Sequence, residues 1–143
     1  MYSIRNGMEA DRVILNGLLA ANDMEVDRLP SEFLILEIDG ELVGAIRLEW
    51  EEGLAYIHPI VVGEKWRGKD VGKALIHAAA DGLSELFAVA RGEAVGFYRK
   101  LGFRPLLWEK VPERYRLECE NCPTLDDCQP APMVWKRSVQ ETL

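Results

Sequence analysis

The chain of 143 residues predicts an α/β fold, and three features carry that expectation. Two apolar runs, FLILEI and ELVGAIRLEW, flank Asp39-Gly40, a favoured two-residue hairpin turn. A strand-like run ending at Val62 passes through a basic loop containing Gly68 and Gly72 into a helical pattern. Strand and helix signals then alternate, and that order is α/β.

Each element has its own signal. Tyr2 to Arg5 reads as a short strand. Asn6 and Glu9 fit a capping box, because both side chains can satisfy free N–H groups at a helix start. Ala10, Val13, Ile14, Gly17, Leu18 and Ala21 then recur at helical spacing and predict one buried stripe. Asn22 to Glu32 is polar, contains Pro30, and reads as a loop with a helical turn. After the hairpin turn, Leu42, Gly44, Ile46, Leu48 and Trp50 share one face of a strand, with Arg47 and Glu49 on the other. Glu51 to Gly53 turns the chain into a further strand, Leu54 to Val62. There Pro59 lacks an N–H and implies a bulge or an end to pairing.

Val71 to Leu83 predicts a helix buried on two stripes, and Glu85 to Ala90 a short buried strand. Glu93 to Leu101 predicts a second helix with Ala94, Phe97, Tyr98 and Leu101 on one face, capped by Gly102. Another strand begins at Phe103, an irregular stretch runs from Pro112 to Pro132, and Met133 to Arg137 is the last strand.

The length fits one domain over residues 1–143. The apolar share of 48% allows a sizeable core. A formal charge of −7 argues against a nucleic-acid binder yet permits a local cationic site for a small anion. No apolar run approaches the roughly 20 residues that cross a bilayer, and the first residues show no secretion signal, so no membrane role is expected. Three cysteines within Cys119 to Cys128 offer no disulfide framework, and a reducing, cytoplasmic setting is the simplest reading.

The stretch VVGEKWRGKDVGKAL places Lys65, Arg67, Lys69 and Lys73 around Gly68 and Gly72 in an acidic chain. The first turn of a helix leaves N–H groups unpaired and carries partial positive charge. Glycine lets the backbone approach a ligand closely. Such a loop is a physical device for binding phosphate, with Gly68 to Lys73 presenting amides and Arg67, Lys69 and Lys73 adding charge. A solvated basic turn is the plain alternative. A Walker loop fails because Ala74 follows Lys73, and no G-x-G-x-x-G is present.

RGKDVGKAL followed by ARGEAVGFYRKLGF resembles the two central motifs of the GNAT acyltransferase superfamily. Arg67, Asp70 and Gly72 fall on its diphosphate loop; Ala94, Phe97, Tyr98, Gly102 and Phe103 fall on its second motif. The resemblance spans most of the chain. It implies a mixed, mostly antiparallel central sheet flanked by helices and splayed open at the acyl-CoA site, between the strand ending near Val62 and the strand Glu85 to Ala90. It also implies acetyl-CoA as co-substrate, an amine acceptor as partner, and a homodimer, a common state among relatives. Asp70 departs from the family's usual glycine, and Arg91 stands where many relatives carry Asn. Asp70 still offers its N–H, while its carboxylate can pair with Lys69, Lys73 or Arg67.

Acyl transfer to an amine needs a proton acceptor, an oxyanion donor, and a group that protonates or holds the departing thiolate. By the resemblance, Tyr98 serves the sulfur and Val62 the oxyanion, with Ile60 and Val62 pairing the pantetheine arm. Arg67, Gly68, Lys69, Asp70, Val71, Gly72, Lys73, Arg91 and Phe97 complete the expected CoA contacts. Tyr98 fits a core position equally well. For the base, His58 shares a strand face with Tyr56, and imidazole is a side-chain type suited to proton transfer at neutral pH; Glu49 and Glu52, acting through water, are the alternatives. His77 reads as structural.

The segment CENCPTLDDCQP gives C-x2-C-x5-C, short of a four-ligand zinc signature, so Cys119, Cys122 and Cys128 read as free thiols and no metal site is expected. A C-x-x-C-P pattern before a final strand resembles the tails of short amino-acid N-acetyltransferases within the superfamily, and there Arg114 and Arg116 would hold an acceptor carboxylate. The expected function is transfer of acetyl from acetyl-CoA to a primary amine of a small molecule by direct attack. A non-catalytic acyl-CoA-binding module, a protein or peptide acetyltransferase and a cysteine-based metal module are the alternatives.

Overall fold

The computed structural model describes residues 2–120 and 130–137. Seven strands lie in the order β1-β2-β3-β4-β5-β7-β6, numbered along the chain. Their ranges are β1 Tyr2–Asn6, β2 Phe33–Ile38, β3 Glu41–Glu51, β4 Leu54–Val62, β5 Glu85–Ala90, β6 Arg104–Pro105 and β7 Ala131–Lys136. The helices are α1 Arg12–Ala21, α2 Val71–Ala79, α3 Ala94–Lys100 and α4 Glu113–Glu120. The sheet is mixed and mostly antiparallel, as expected. β1 with β2, β2 with β3, β5 with β7 and β6 with β7 are antiparallel, and β4 runs parallel to β5. Packing groups the chain into two compact units, Met1–Leu48 with Ile57–Asp81, and Glu49–Tyr56 with Gly82–Leu143.

In the first unit the hairpin turns where it was expected, with Asp39 and Gly40 both at positive φ. Leu15 and Leu19 of α1 pack on Phe33, Ile35, Ala45 and Val61. This overturns the expected α1 stripe, because Val13 is 84% and Ile14 62% exposed. Asn6 does not cap the helix either; it stays in β1, opposite Leu34. The carboxylate of Asp11 accepts the Met8 N–H instead, at 2.8 Å. A 3₁₀ turn at Glu9–Asp11 delays α1 to Arg12, and the larger leucines then take the core. On α2, Val71 and Leu75 press against Gly44, where a Cβ would meet their side chains at 3.0 and 3.1 Å. The helix ends at Ala79, four residues short of the expected Leu83, and Gly82 follows at φ +79°.

In the second unit β5 pairs with β7 along its whole length, and Tyr56, Phe87, Val111, Tyr115 and Val134 form the core. Parallel pairing of β4 with β5 among the described residues is Tyr56 opposite Phe87, ahead of Pro59. Gly102 caps α3 at φ +95°, while the Phe103 N–H reaches back to Tyr98 O at 3.1 Å. The strand expected from Phe103 shrinks to Arg104–Pro105, and a helix, α4, stands where irregular chain was expected. Its sequence, ERYRLECE, carries no apolar stripe; Tyr115 is its buried anchor. The faces of β3 also invert at its end, with Glu49 buried and Trp50 57% exposed.

Candidate active site

β4 leads through a 3₁₀ turn at Glu64–Trp66 into the basic loop. Gly68 takes φ +76°, and Asp70 enters α2 in the left-handed region at φ +63°. Asp and Asn tolerate that region better than most side chains. Reversing twice, the loop leaves a run of amides without partners. Among the described residues no N–H from Gly68 to Lys73 donates to the protein, and the Ala74 N–H is the first to do so, to Asp70 O at 3.0 Å. Such a run, at the positive end of a helix, fits an anion.

The cations around it are differently engaged. Arg67 donates to Asn22 Oδ1 and, at 3.4 Å, to Val62 O. Lys65 lies 3.5 Å from Glu41, and both Lys65 and Lys69 sit over the Trp66 ring. The Asp70 carboxylate makes no ion pair among the described residues, against the expected pairing with Lys69, Lys73 or Arg67. Lys69 and Lys73 instead border a shallow cavity of about 250 Å³ with Tyr2, Ile38 and His77. His77, which the sequence reads as structural, is exposed and borders that cavity.

Ile60 and Val62 are half-buried at the end of β4. The backbone oxygen of His58 accepts from Arg47 Nη1 at 3.0 Å, and the imidazole is half-buried. In the other unit, Tyr98 is 5% exposed, with its ring 5.2 Å from Phe97 and 5.0 Å from Phe103. Burial pushes its phenol well above the ordinary tyrosine value. Phe97 and Arg91 are exposed.

Two functional candidates were misread in the sequence. Glu49, offered by the sequence as an alternative base acting through water on an open strand face, is 7% exposed, accepts from Tyr115 Oη at 2.6 Å and pairs with Arg114 at 2.9 Å. Tyr115 was placed in irregular chain. Arg114 also reaches Glu51 at 3.0 Å, and Arg116 Nε donates to Val111 O at 3.1 Å. Arg114 is thus already engaged by acids, while Arg116 holds a backbone carbonyl through Nε. The spacing of Tyr115 from Pro112 was the available signal, since proline favours a helix start. Cys122, Cys128 and the side chain of Cys119 lie outside the described residues, as do any metal ligands they would supply. Among the described residues no helix is long and apolar enough to cross a membrane.

Residues 30–105, just over half the chain, match the acetyltransferase (GNAT) domain family. An N-alpha-acetyltransferase of Sulfurisphaera tokodaii is 29% identical, over 84% of this chain and 89% of its own. An uncharacterized N-acetyltransferase of Chlorobaculum tepidum is 26% identical, over 72% of this chain and 69% of its own. The fold is that of N-acetylglutamate synthase from Neisseria gonorrhoeae, complexed with coenzyme A and N-acetyl-glutamate. That likeness has a TM-score of 0.78 at 22% identity and covers 95% of this chain. The chain spans about a third (35%) of the length of that synthase.

Proposed function

Because the chain belongs to the GNAT acetyltransferase family, we propose that it moves acetyl from acetyl-CoA to the primary amine of a small molecule. The observation that carries this reading is the run of six amides from Gly68 to Lys73 that make no close backbone hydrogen bond among the described residues. In it those amides hold the CoA diphosphate, and Arg67, Lys69 and Lys73 lower the cost of bringing its charge to an acidic protein. Val71 and Gly72 contribute through their N–H groups, as Asp70 does, while its carboxylate works against the ligand. Backbone groups of Ile60 and Val62 pair with the pantetheine arm, the Val62 N–H faces the oxyanion, and Arg91 and Phe97 contact the cofactor.

In the reaction a neutral amine attacks the acetyl carbon, the C–S bond breaks, and the nitrogen's proton ends on sulfur. His58 takes the proton that the arriving ammonium must lose. Tyr98 stays protonated at working pH because burial raises its pKa. It donates a hydrogen bond to the departing sulfur. Full transfer to a thiolate, whose ordinary pKa is about 8.5, requires that Tyr98 be reprotonated in the same step. The coenzyme A bound to the N. gonorrhoeae synthase supports the cofactor assignment through the shared fold.

Titration calorimetry with coenzyme A tests the loop. Binding is expected, and Asp70→Gly is expected to tighten it about tenfold by removing a carboxylate beside the phosphates. A protein that gives no heat with millimolar coenzyme A, as wild type and as Asp70→Gly, is not an acetyl-CoA enzyme. Release of free coenzyme A with an amine panel then reads turnover.

A further inference from the structure

Tyr56 is 2% exposed, and its hydroxyl is buried with no hydrogen-bond partner among the described residues. Buried polar groups are nearly always paired, so an orphan of this kind asks for a ligand or a water. The ring stacks on Phe87 with centroids 5.2 Å apart and tilts against Tyr115 at 4.8 Å. Tyr115 donates to Glu49 at 2.6 Å, and Arg114 joins Glu49 to Glu51 at 2.9 and 3.0 Å. The Glu52-Gly53 turn, with both residues at positive φ, joins β3 to β4, and a two-residue turn between Glu51 and Leu54 implies that Glu49 faces Tyr56 across the hairpin. Cross-strand partners share a face. Hydroxyl, acid and Tyr115 are thus gathered on one side of the hairpin, all within one compact unit.

Charge decides what would bind. Among the described residues three carboxylates, on Glu49, Glu51 and Glu52, stand near the guanidinium of Arg114, which pairs with Glu49 and Glu51. Burial, together with the charge of Glu52, pushes the Tyr56 phenol up to about 12, so its oxygen remains a neutral hydroxyl able to accept an N–H. A carboxylate brought here would meet acids already holding the nearby arginine. An ammonium would meet an excess of negative charge and a free acceptor.

We propose that Tyr56, Glu49 and Glu51, with Tyr115 holding Glu49 in place, seat the amino group of the acceptor and select a cationic amine with no carboxylate beside it. The proposal rests on the acetyl-transfer reading and deepens it by naming the acceptor class. Tyr56 lies four residues before Ile60 on the strand assigned to the pantetheine arm. The acceptor class differs from that of the N. gonorrhoeae synthase, whose bound N-acetyl-glutamate carries a carboxylate next to the acylated nitrogen.

L-alanine and its methyl ester differ only at the carboxylate, so calorimetry with each, with and without saturating coenzyme A, reads the seat directly. Wild type is expected to bind the ester about tenfold or more tightly than alanine. Tyr56→Phe, nearly isosteric, is expected to weaken the ester about tenfold while leaving the coenzyme A Kd unchanged. Glu51→Gln is expected to narrow the gap between ester and acid. Equal or tighter binding of alanine overturns the proposal, as does absence of ester binding. So does a Tyr56→Phe protein that binds the ester like wild type, the mark of a hydroxyl satisfied by water alone. Loss of coenzyme A binding with the ester preference intact sinks the acetyl-transfer reading instead, because the arm without cofactor reads the amine seat by itself.

Discussion

Tyr98 and Tyr56 are both buried tyrosines, and burial raises the pKa of each. They were not equally visible in the sequence. Tyr98 falls on a family motif, and its proposed role rests on that position. Tyr56 is a β-strand residue like any other until Tyr115 closes over it. Tyr98→Phe removes only the donor to the departing sulfur. We expect kcat to fall about 10- to 100-fold with the KM for acetyl-CoA unchanged, measured by steady-state release of coenzyme A. An unchanged kcat would leave Tyr98 a core residue, which its helical spacing equally allows. Asp70 shows the reverse case. Its αL backbone suits the loop, as the known tolerance of Asp for that region anticipated, but its carboxylate makes no ion pair among the described residues. Side-chain pairing depends on where the chain sends Lys69 and Lys73, and local sequence does not state it.

At the scale of elements, the opening of α1 rests on a small ionic device. Arg5 of β1 holds Asp11 through two contacts of 2.8 Å and Glu37 of β2 through one of 2.6 Å. Arg5 is the leading cause that lowers the Asp11 pKa below the ordinary carboxylate value. A depressed carboxylate stabilises the fold fully above the unfolded value of about 3.9, and that contribution is lost as pH falls through the folded value. Asp11→Asn should therefore cost about 1 kcal/mol at neutral pH, partly exposed pairs being modest, and the difference from wild type should shrink toward zero as melts are repeated below about pH 4. A gap that stays constant with pH would mean that the carboxylate's charge contributes nothing. The Asn6–Glu9 capping box was a sound local pattern that failed here, because β1 needed Asn6 for its pairing with β2. The hairpin at Asp39-Gly40 and the Gly102 cap were readable, since both depend on φ values that the turn residues themselves supply.

At the scale of the whole molecule, β3 and β4 pass through both compact units, and we propose that the chain folds as one domain. Chemical unfolding should then be a single transition. Fluorescence of Trp66, which lies in one unit, and of Trp50, Trp108 and Trp135, which lie in the other, should share a midpoint with far-UV circular dichroism, tested with Trp66→Phe beside wild type. Separate midpoints would divide the chain into two domains. The amino-acid sequence alone determined the α/β class, the hairpin, the basic glycine loop and the two family motifs, because each is written in residues close together in the chain. Tertiary structure alone decided which α1 face is buried, that residues 113–120 form a helix, and that Glu49 lies inside beside Tyr56 and Tyr115. Each of those outcomes depends on contacts between residues far apart in sequence, where the burial of a leucine or a tyrosine outweighs local propensity.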